Sequence, residues 1–138
     1  MKLHASGEDY LKAIFILQKE KGMVRSVDVA ERGGVSKPNV SRAVNHLREG
    51  GFLMMNDDYT LHLTDQGREI AKKMVERHKY FVGQLTNVGV DTSTAEVEAC
   101  KMEHTLSDDS FRKLQDQKPK ECPFSDICNF KPDEERGT

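Results

Sequence analysis

Several features are absent from this 138-residue sequence, and each absence excludes a class of protein. It contains no Trp, and no apolar run approaches the roughly 18 residues that a membrane-spanning helix needs. The N-terminus, MKLHASGEDY, lacks the charged and then apolar regions of a secretory signal. We therefore expect a cytoplasmic protein with no membrane partner, which forms one domain or a small domain with an appendage.

Cysteine and proline are also scarce. Only three Cys and four Pro are present, and in a reducing cytoplasm we do not expect disulfides. Three of the prolines and two of the cysteines, Cys122 and Cys128, follow Gln117 in a segment without hydrophobic periodicity. We predict an irregular tail over residues 118–138 in which the two thiols are unpaired; a metal clip or a labile disulfide is the alternative.

The charge is divided unevenly along the chain, although the net charge is only -2. Residues 1–86 carry 14 Lys and Arg against 11 Asp and Glu, which gives +3, whereas residues 87–138 carry 7 against 12, which gives -5. The first half is therefore where a polyanion such as nucleic acid would bind. The alternative is an ordinary solvated surface, which accounts for the same excess of positive charge.

The first half has the pattern of three helices followed by a hairpin. A first helix is predicted from about Gly7 to Glu20, and a short one in SVDVAERGG must stop at Gly33-Gly34. In VSKPNVSRAVNHLREGGF, Ser36 is placed as an N-cap, Pro38 falls in the first turn and Gly50-Gly51 ends the helix. FLMMNDDYTLHLT alternates apolar and polar residues around a turn-forming cluster, which predicts a two-stranded hairpin.

This order of elements is that of a winged helix-turn-helix, whose second helix enters the major groove of DNA. The predicted recognition helix runs from Lys37 to Leu47, with Arg42 as a base reader and Lys37 as a phosphate contact. The residues expected to contact DNA are Ser36, Lys37, Pro38, Asn39, Ser41 and Arg42. The alternative is a scaffold for protein contacts, on which Lys37 and Arg42 are ordinary solvated residues.

The second half is predicted to be helical. Thr64 is placed to cap a long helix from about Asp65 to Leu85, DTST to cap another over about residues 94–105, and Ser107 to begin a last short one. On the middle helix the apolar face consists of Ala95, Ala99, Met102 and Leu106.

Beside that face lies the stretch EACKMEH, in which residues with metal-ligand chemistry stand three and four apart. Glu96, Cys100 and Glu103 form a stripe, and His104 follows it. A divalent ion would satisfy a partly buried carboxylate and imidazole together. The alternative is a surface Glu and His beside a small buried Cys. On the long helix, His78 would face this trio if the two helices pack, although a lone His is more often a core residue.

Four stretches carry a family resemblance: GEDYLKAIFIL, VSKPNVSRAV, VERHKYF and EACKMEHTLSDD. They resemble the diphtheria-toxin-repressor and manganese-transport-regulator family of metal-dependent repressors, from about Gly7 to Phe111, and the chain is similar to the short members without an SH3-like domain. The resemblance implies a homodimer in which a divalent metal ties the N-terminal helix to the dimerisation helices. The metal-bound dimer would then bind an operator and repress metal-uptake genes.

The resemblance also implies which residues bind metal. Cys100, Glu103 and His104 match ligands of the iron-responsive branch, and His78 matches a histidine that ligates metal in both branches. Asp9 stands where the manganese branch has a ligating Asp and the iron branch a Met. From the residues alone, a simpler role explains Asp9: its negative charge in the first turn interacts favourably with the N-terminal end of the helix dipole.

At three positions the sequence departs from the family pattern. Lys12 stands where the manganese branch has a ligating Glu, Val82 replaces a Glu of the iron branch's second site, and Glu96 falls where that branch has a His. The resemblance therefore implies no more than a reduced second site, made by His78 with Glu96.

Together these features predict a mostly α fold with three parts. A winged helix-turn-helix DNA-binding domain occupies residues 1–64, a helical metal-binding and dimerisation domain residues 65–117, and the tail residues 118–138. The leading hypothesis is a homodimeric, metal-activated repressor of operator DNA that is not an enzyme and takes no small organic substrate. The rivals are a winged-helix regulator with a non-metal signal and, least favoured, an enzyme that uses Cys100 as nucleophile or a metal-activated water.

The donor types bear on which metal is bound. A thiolate at Cys100 and an imidazole at His104 favour borderline ions such as Fe(II), Co(II), Ni(II) or Zn(II), while carboxylates at Asp9 and Glu103 suit Mn(II) as well. We expect Fe(II), with Mn(II) as the next candidate.

Overall fold

A computed structural model of the chain describes residue 3 and residues 5–116, and these form six helices and one hairpin. The elements in chain order are α1 Ala5–Lys21, α2 Ser26–Gly33, α3 Lys37–Glu49, β1 Leu53–Met55, β2 Leu61–Leu63, α4 Asp65–Asn87, α5 Thr92–Met102 and α6 Asp108–Asp116. The predicted order of elements is confirmed, whereas the predicted tail with Cys122 and Cys128 lies outside the described residues. None of the described helices is both long and apolar enough to cross a membrane.

The helix-turn-helix is formed by α2 and α3, and its turn follows from the residues at the helix ends. Gly34 ends α2 in a left-handed conformation with φ 62°, which glycine adopts without steric cost. The side chain of Ser36 accepts a hydrogen bond of 3.3 Å from the backbone N–H of Asn39 and so caps α3, as predicted. Helix α3 continues two residues beyond the predicted Leu47 and ends at Glu49.

The hairpin is antiparallel, with Leu53 opposite Leu63 and Met55 opposite Leu61. Leu53, Leu61 and Leu63 are buried while Met54 and His62 are exposed, so one face of the ribbon packs on the core. The backbone N–H of Leu61 also donates to the carbonyl of Val24, at 2.7 Å, which attaches the hairpin to the connection between α1 and α2.

Helix α1 lies at the centre of the first unit, which extends to Leu106. It packs against α2, α3, β2 and α4, and α4 in turn packs against α5. The core cluster consists of Leu11, Ile14, Phe15, Leu17, Val24, Val29, Ala30, Val40, Val44, Leu47, Phe52, Leu53, Leu61, Leu63 and Ala71. Helix α6 belongs to a second unit that begins at Ser107, whose side chain accepts a hydrogen bond from the backbone N–H of Ser110.

The bounds of α5 differ from the prediction. Asp91 caps the helix by accepting from the backbone N–H of Thr94, so the helix begins at Thr92, and it ends at Met102 rather than near residue 105. Met102, the last residue of the helix, is 37% exposed and not buried as predicted. Only Ala95 and Ala99 of the predicted face are buried.

The junction between the hairpin and α4 is unusually close. Thr64 caps α4 by accepting from the backbone N–H of Gly67, and its hydroxyl donates to the carbonyl of Gly51 at 2.7 Å. A Cβ atom on Gly67 would lie 2.0 Å from the backbone oxygen of Phe52. Only glycine lets the first turn of α4 approach the chain this closely.

We expect Gly67→Ala to destabilise the protein, because a backbone carbonyl cannot move aside as a flexible side chain can. The free energy of unfolding should fall by at least about 1–3 kcal/mol, measured by urea denaturation. Gly83→Ala is the matched control, since a Cβ on Gly83 of the same helix meets no atom within 4 Å. The control should gain about 0.5–1 kcal/mol; equal effects of the two variants would contradict this account of the junction.

Candidate metal centre

The centre of the candidate site is the carboxylate of Glu103, whose side chain is completely buried. It stands at the C-terminal end of α5, where α5 meets α4 and α1. One carboxylate oxygen, Oε1, accepts a hydrogen bond of 2.5 Å from Lys12 Nζ on α1, and the other, Oε2, lies 3.0 Å from His78 Nδ1 on α4. Because a buried charge is costly unless it is paired, Glu103 requires these partners from the two neighbouring helices.

Lys12 is the second charged group in this cluster, and its side chain is only 11% exposed. Its ammonium also donates to Cys100 Sγ at 3.3 Å and lies 3.9 Å from Asp9 Oδ1. Burial lowers the pKa of Lys12, but the hydrogen bond to Glu103 and the charges of Glu103 and Cys100 outweigh burial, so the pKa lies above its ordinary value of 10.5. The ammonium form therefore persists at neutral pH.

His104 follows the end of α5 and lies between two carboxylates of α1. Its Nδ1 is 2.8 Å from Glu8 Oε1, its Nε2 is 2.9 Å from Asp9 Oδ1, and its side chain is 7% exposed. The same Nε2 is 3.6 Å from Glu103 Oε1. The imidazole thus joins the first turns of α1 to the buried carboxylate.

Two groups of ligand-type atoms result among the described residues. His78, Cys100 and Glu103 form one, and Asp9, Glu103 and His104 form the other, with the ligand atoms of each group within 4.8 Å of one another. Glu103 belongs to both groups. Imidazole, carboxylate and thiol are the donors that first-row divalent ions take in proteins, so the chemistry of the donor set fits a metal.

Five of the six residues predicted as metal ligands are therefore brought together. The sixth, Glu96, is exposed on α5 and belongs to neither group, although it lines the same cavity as His78 and Cys100. The reduced second site of His78 with Glu96 stays a prediction. Glu8 was not predicted, although it precedes Asp9 at the start of the same helix. Lys12 was noted only as a departure from the family pattern. Its place beside Leu11 on an apolar helix face nevertheless indicates that the ammonium of Lys12 has a buried partner.

Arg77 is a further buried residue that the periodicity did not identify. Helical spacing in α4 favours a buried stripe of Ile70, Met74, Phe81 and Leu85, whereas the buried residues are Gly67, Ala71, Met74, Arg77 and Phe81. Arg77 Nη1 donates to the backbone carbonyl of Glu103 at 3.0 Å and to that of Leu106 at 2.6 Å. These bonds fix the non-helical segment that carries Glu103 and His104.

The residues predicted to contact DNA lie together on the exposed face of α3 and at its N-cap. Ser36, Lys37, Pro38, Asn39, Ser41 and Arg42 are all exposed. On the opposite face Val40, Val44 and Leu47 are buried in the core. Arg42 Nη2 donates to Asn39 Oδ1, so these two side chains form one polar unit.

Comparison with known proteins decides between the interpretations of this arrangement. The iron-dependent repressor N-terminal DNA-binding domain matches residues 2–60, and the iron-dependent repressor metal-binding and dimerisation domain matches residues 64–127. The chain belongs to the iron-dependent repressor family. Membership confirms the resemblance drawn from the sequence and the winged helix-turn-helix followed by a helical domain, and it favours a regulator over an enzyme.

Relatives of this chain within the iron-dependent repressor family include proteins named as a repressor and as a transcriptional regulator. Diphtheria toxin repressor of Corynebacterium diphtheriae is 32% identical over 108 residues, which cover 78% of this chain and 48% of that protein. The transcriptional regulator MntR of Bacillus velezensis is 33% identical over 111 residues, which cover 80% of this chain and 78% of that protein. The chain thus spans about half the length of the first relative.

A solved manganese-dependent transcriptional repressor in complex with manganese has a similar structure. Its TM-score is 0.72 at 32% sequence identity, and the match covers 80% of this chain and 51% of that one. The family as a whole uses divalent metals, iron in some members and manganese in others.

We expect Glu103→Gln to destabilise the metal-free protein, because it leaves the ammonium of Lys12 buried beside a neutral amide. Breaking a buried ion pair from one side costs about 3–5 kcal/mol, which thermal and urea unfolding would measure. Glu98→Gln on the exposed side of α5 is the control and should change stability by less than about 0.5 kcal/mol. A Glu103→Gln protein as stable as this control would show that the pair contributes nothing to the fold.

Proposed function

We propose that this chain is a homodimeric transcriptional repressor that binds operator DNA when a divalent metal ion is bound between α1, α4 and α5, and that it controls metal-uptake genes. The observation that carries the proposal is the pair of ligand groups that share the buried carboxylate of Glu103. The family membership supports it, because the two matched domains are a DNA-binding and a metal-binding one.

The two ligand groups together consist of Asp9, His78, Cys100, Glu103 and His104, and a bound metal would take its ligands from among them. A divalent ion supplies two positive charges at a point where carboxylates of α1 and α5 converge. Glu8, at Nδ1 of His104, would accept the ring N–H and leave Nε2 directed at the metal, which is the usual arrangement of a ligating histidine. We propose Fe(II) as the metal, because the imidazole of His104 favours borderline ions, with Mn(II) next because the oxygen donors suit both.

Helix α1 connects the metal centre to the DNA-binding surface. Its first turns carry Asp9, while its apolar side, with Leu11 and Phe15, packs on the core that also supports α3. If the metal binds more tightly when α1 is in one orientation than in others, metal binding would increase the population of that orientation by mass action. In a homodimer, the same preference would favour the spacing of two recognition helices that fits two half-sites.

A winged-helix regulator with a non-metal signal is the competing function. It would use the same exposed face of α3 but would bind DNA equally with and without a chelator.

We expect selection from a pool of random duplex DNA to enrich a two-fold symmetric site only when metal is present. Stripped protein would be incubated anaerobically with the pool, with Fe(II), with Mn(II) or with a chelator, and the bound DNA sequenced. His104→Ala should remove the metal-dependent enrichment, while Glu98→Ala on the exposed side of α5 should retain it. Equal enrichment with the chelator would favour the non-metal signal.

We expect Arg42→Ala to weaken binding to the selected site by about 10- to 100-fold, because loss of a base contact costs about 1–3 kcal/mol. Lys37→Ala, as a phosphate contact, should instead weaken binding to all duplexes equally and reduce the salt dependence. Fluorescence anisotropy on the selected and a scrambled duplex separates these effects. Equal losses on both duplexes in Arg42→Ala would make Arg42 a phosphate contact.

A further inference from the structure

The ammonium of Lys12 lies inside one of the two ligand groups. It is within hydrogen-bond distance of two of the three ligand atoms of that group, 2.5 Å from Glu103 Oε1 and 3.3 Å from Cys100 Sγ. The second carboxylate oxygen of Glu103 is in turn 3.0 Å from His78 Nδ1, the third member. A positive charge thus already stands among His78, Cys100 and Glu103.

We propose that Lys12 is the resident cation of the His78–Cys100–Glu103 group, so that each subunit binds a single divalent ion, in the Asp9–Glu103–His104 group. The proposal rests on the metal-dependent function proposed above and specifies which ligand group that function uses.

The geometry makes the ammonium and a metal ion alternatives in the first group. Lys12 Nζ stands between Glu103 Oε1 and Cys100 Sγ, in the space that an ion held by both of these side chains would need. The ammonium is buried and is anchored by hydrogen bonds to both of these side chains. Two like charges in one small enclosed group would repel each other strongly.

The charge of the cluster is also balanced by one divalent ion. Glu8, Asp9 and Glu103 carry three negative charges, and Lys12 neutralises one of them. One divalent ion matches the remaining two carboxylate charges. A second divalent ion beside the ammonium would leave a large excess of positive charge in a largely buried site, which is unfavourable.

The second ligand group remains accessible to an ion. Asp9 is 49% exposed, and its Oδ1 and Glu103 Oε1 are 2.9 Å and 3.6 Å from Nε2 of His104. Lys12 Nζ is 3.9 Å from Asp9 Oδ1, beyond hydrogen-bond distance, so in this group the ammonium is hydrogen-bonded to the shared Glu103 Oε1 but not to Asp9. Glu103 Oε1 has a lone pair besides the one that accepts from Lys12, so it can serve both cations. The donors of this group are two carboxylates and an imidazole, without the thiol, and such a set suits Mn(II) as well as Fe(II).

The test is an anaerobic titration of stripped full-length protein with Co(II), followed by calorimetry and by the near-ultraviolet absorption of thiolate-bound Co(II). Wild type is compared with Lys12→Met, which removes the ammonium but keeps most of the side-chain volume. The control is Lys19→Met, the same substitution at an exposed position of α1 whose ammonium lies over the Phe15 ring. Lys12→Gln, which keeps a hydrogen-bond donor without the charge, replaces Lys12→Met if that variant does not fold.

We expect wild type and Lys19→Met to bind one Co(II) per subunit without the thiolate band. The Lys12 variant should bind two and acquire the band, because its Cys100 becomes available as a ligand. The proposal is overturned if the wild type binds two ions or shows a thiolate band. It is also overturned if the Lys12 variant binds one ion without the band. Absence of Co(II) and Mn(II) binding in every protein would overturn the metal-dependent function as well, which distinguishes the two failures.

Discussion

The structure of the candidate site depends on one buried negative charge. The carboxylate of Glu103 has no exposed surface, and its two oxygens face different helices, Lys12 of α1 and His78 of α4. Since an unpaired carboxylate in this environment is strongly unfavourable, the three helices must remain close enough to supply these partners. Arg77 adds to this constraint from the backbone side, because it binds the carbonyl of Glu103 itself. The site is therefore held together by electrostatic pairing rather than by apolar contact alone.

The same pairing connects two parts of the chain that the sequence suggests are separate. Helix α1 contributes Glu8, Asp9 and Lys12 to the cluster, and within the same three turns Leu11 and Ile14 to the core beneath the recognition helix. A change in charge at the cluster consequently acts on a helix that the DNA-binding elements also contact. No separate connecting segment is required between the candidate metal centre and α3, because the single helix α1 contributes side chains to the cluster and to the core that supports α3.

Much of this arrangement could be predicted from the sequence because it follows from local chemistry. The caps at Ser36 and Thr64 and the glycine after α2 depend on hydrogen bonds or backbone angles within a few residues, and the observed helices begin and end close to the predicted positions. The end of α5 was placed too late, because the spacing of Cys100 and Glu103 is compatible with a helix that continues. The partners of Lys12 are 88 and 91 residues away in sequence. Periodicity indicates that its position faces inward, but it contains no information about which carboxylate lies opposite.

The close junction at Gly67 has a mechanical consequence. Thr64 and Gly67 fix the first turn of α4 against the backbone around Gly51 and Phe52, so the base of the hairpin and the start of α4 form one rigid piece. His78 lies 14 residues after Thr64 in the sequence, which along a helix is a lever arm of about 21 Å. A tilt of α4 by about 10° around His78 would displace the hairpin end by about 4 Å. Such a displacement is comparable to the spacing of neighbouring base pairs in DNA. A small rotation of α4 at the candidate site would therefore move the hairpin end by a distance that matters for an interface with DNA.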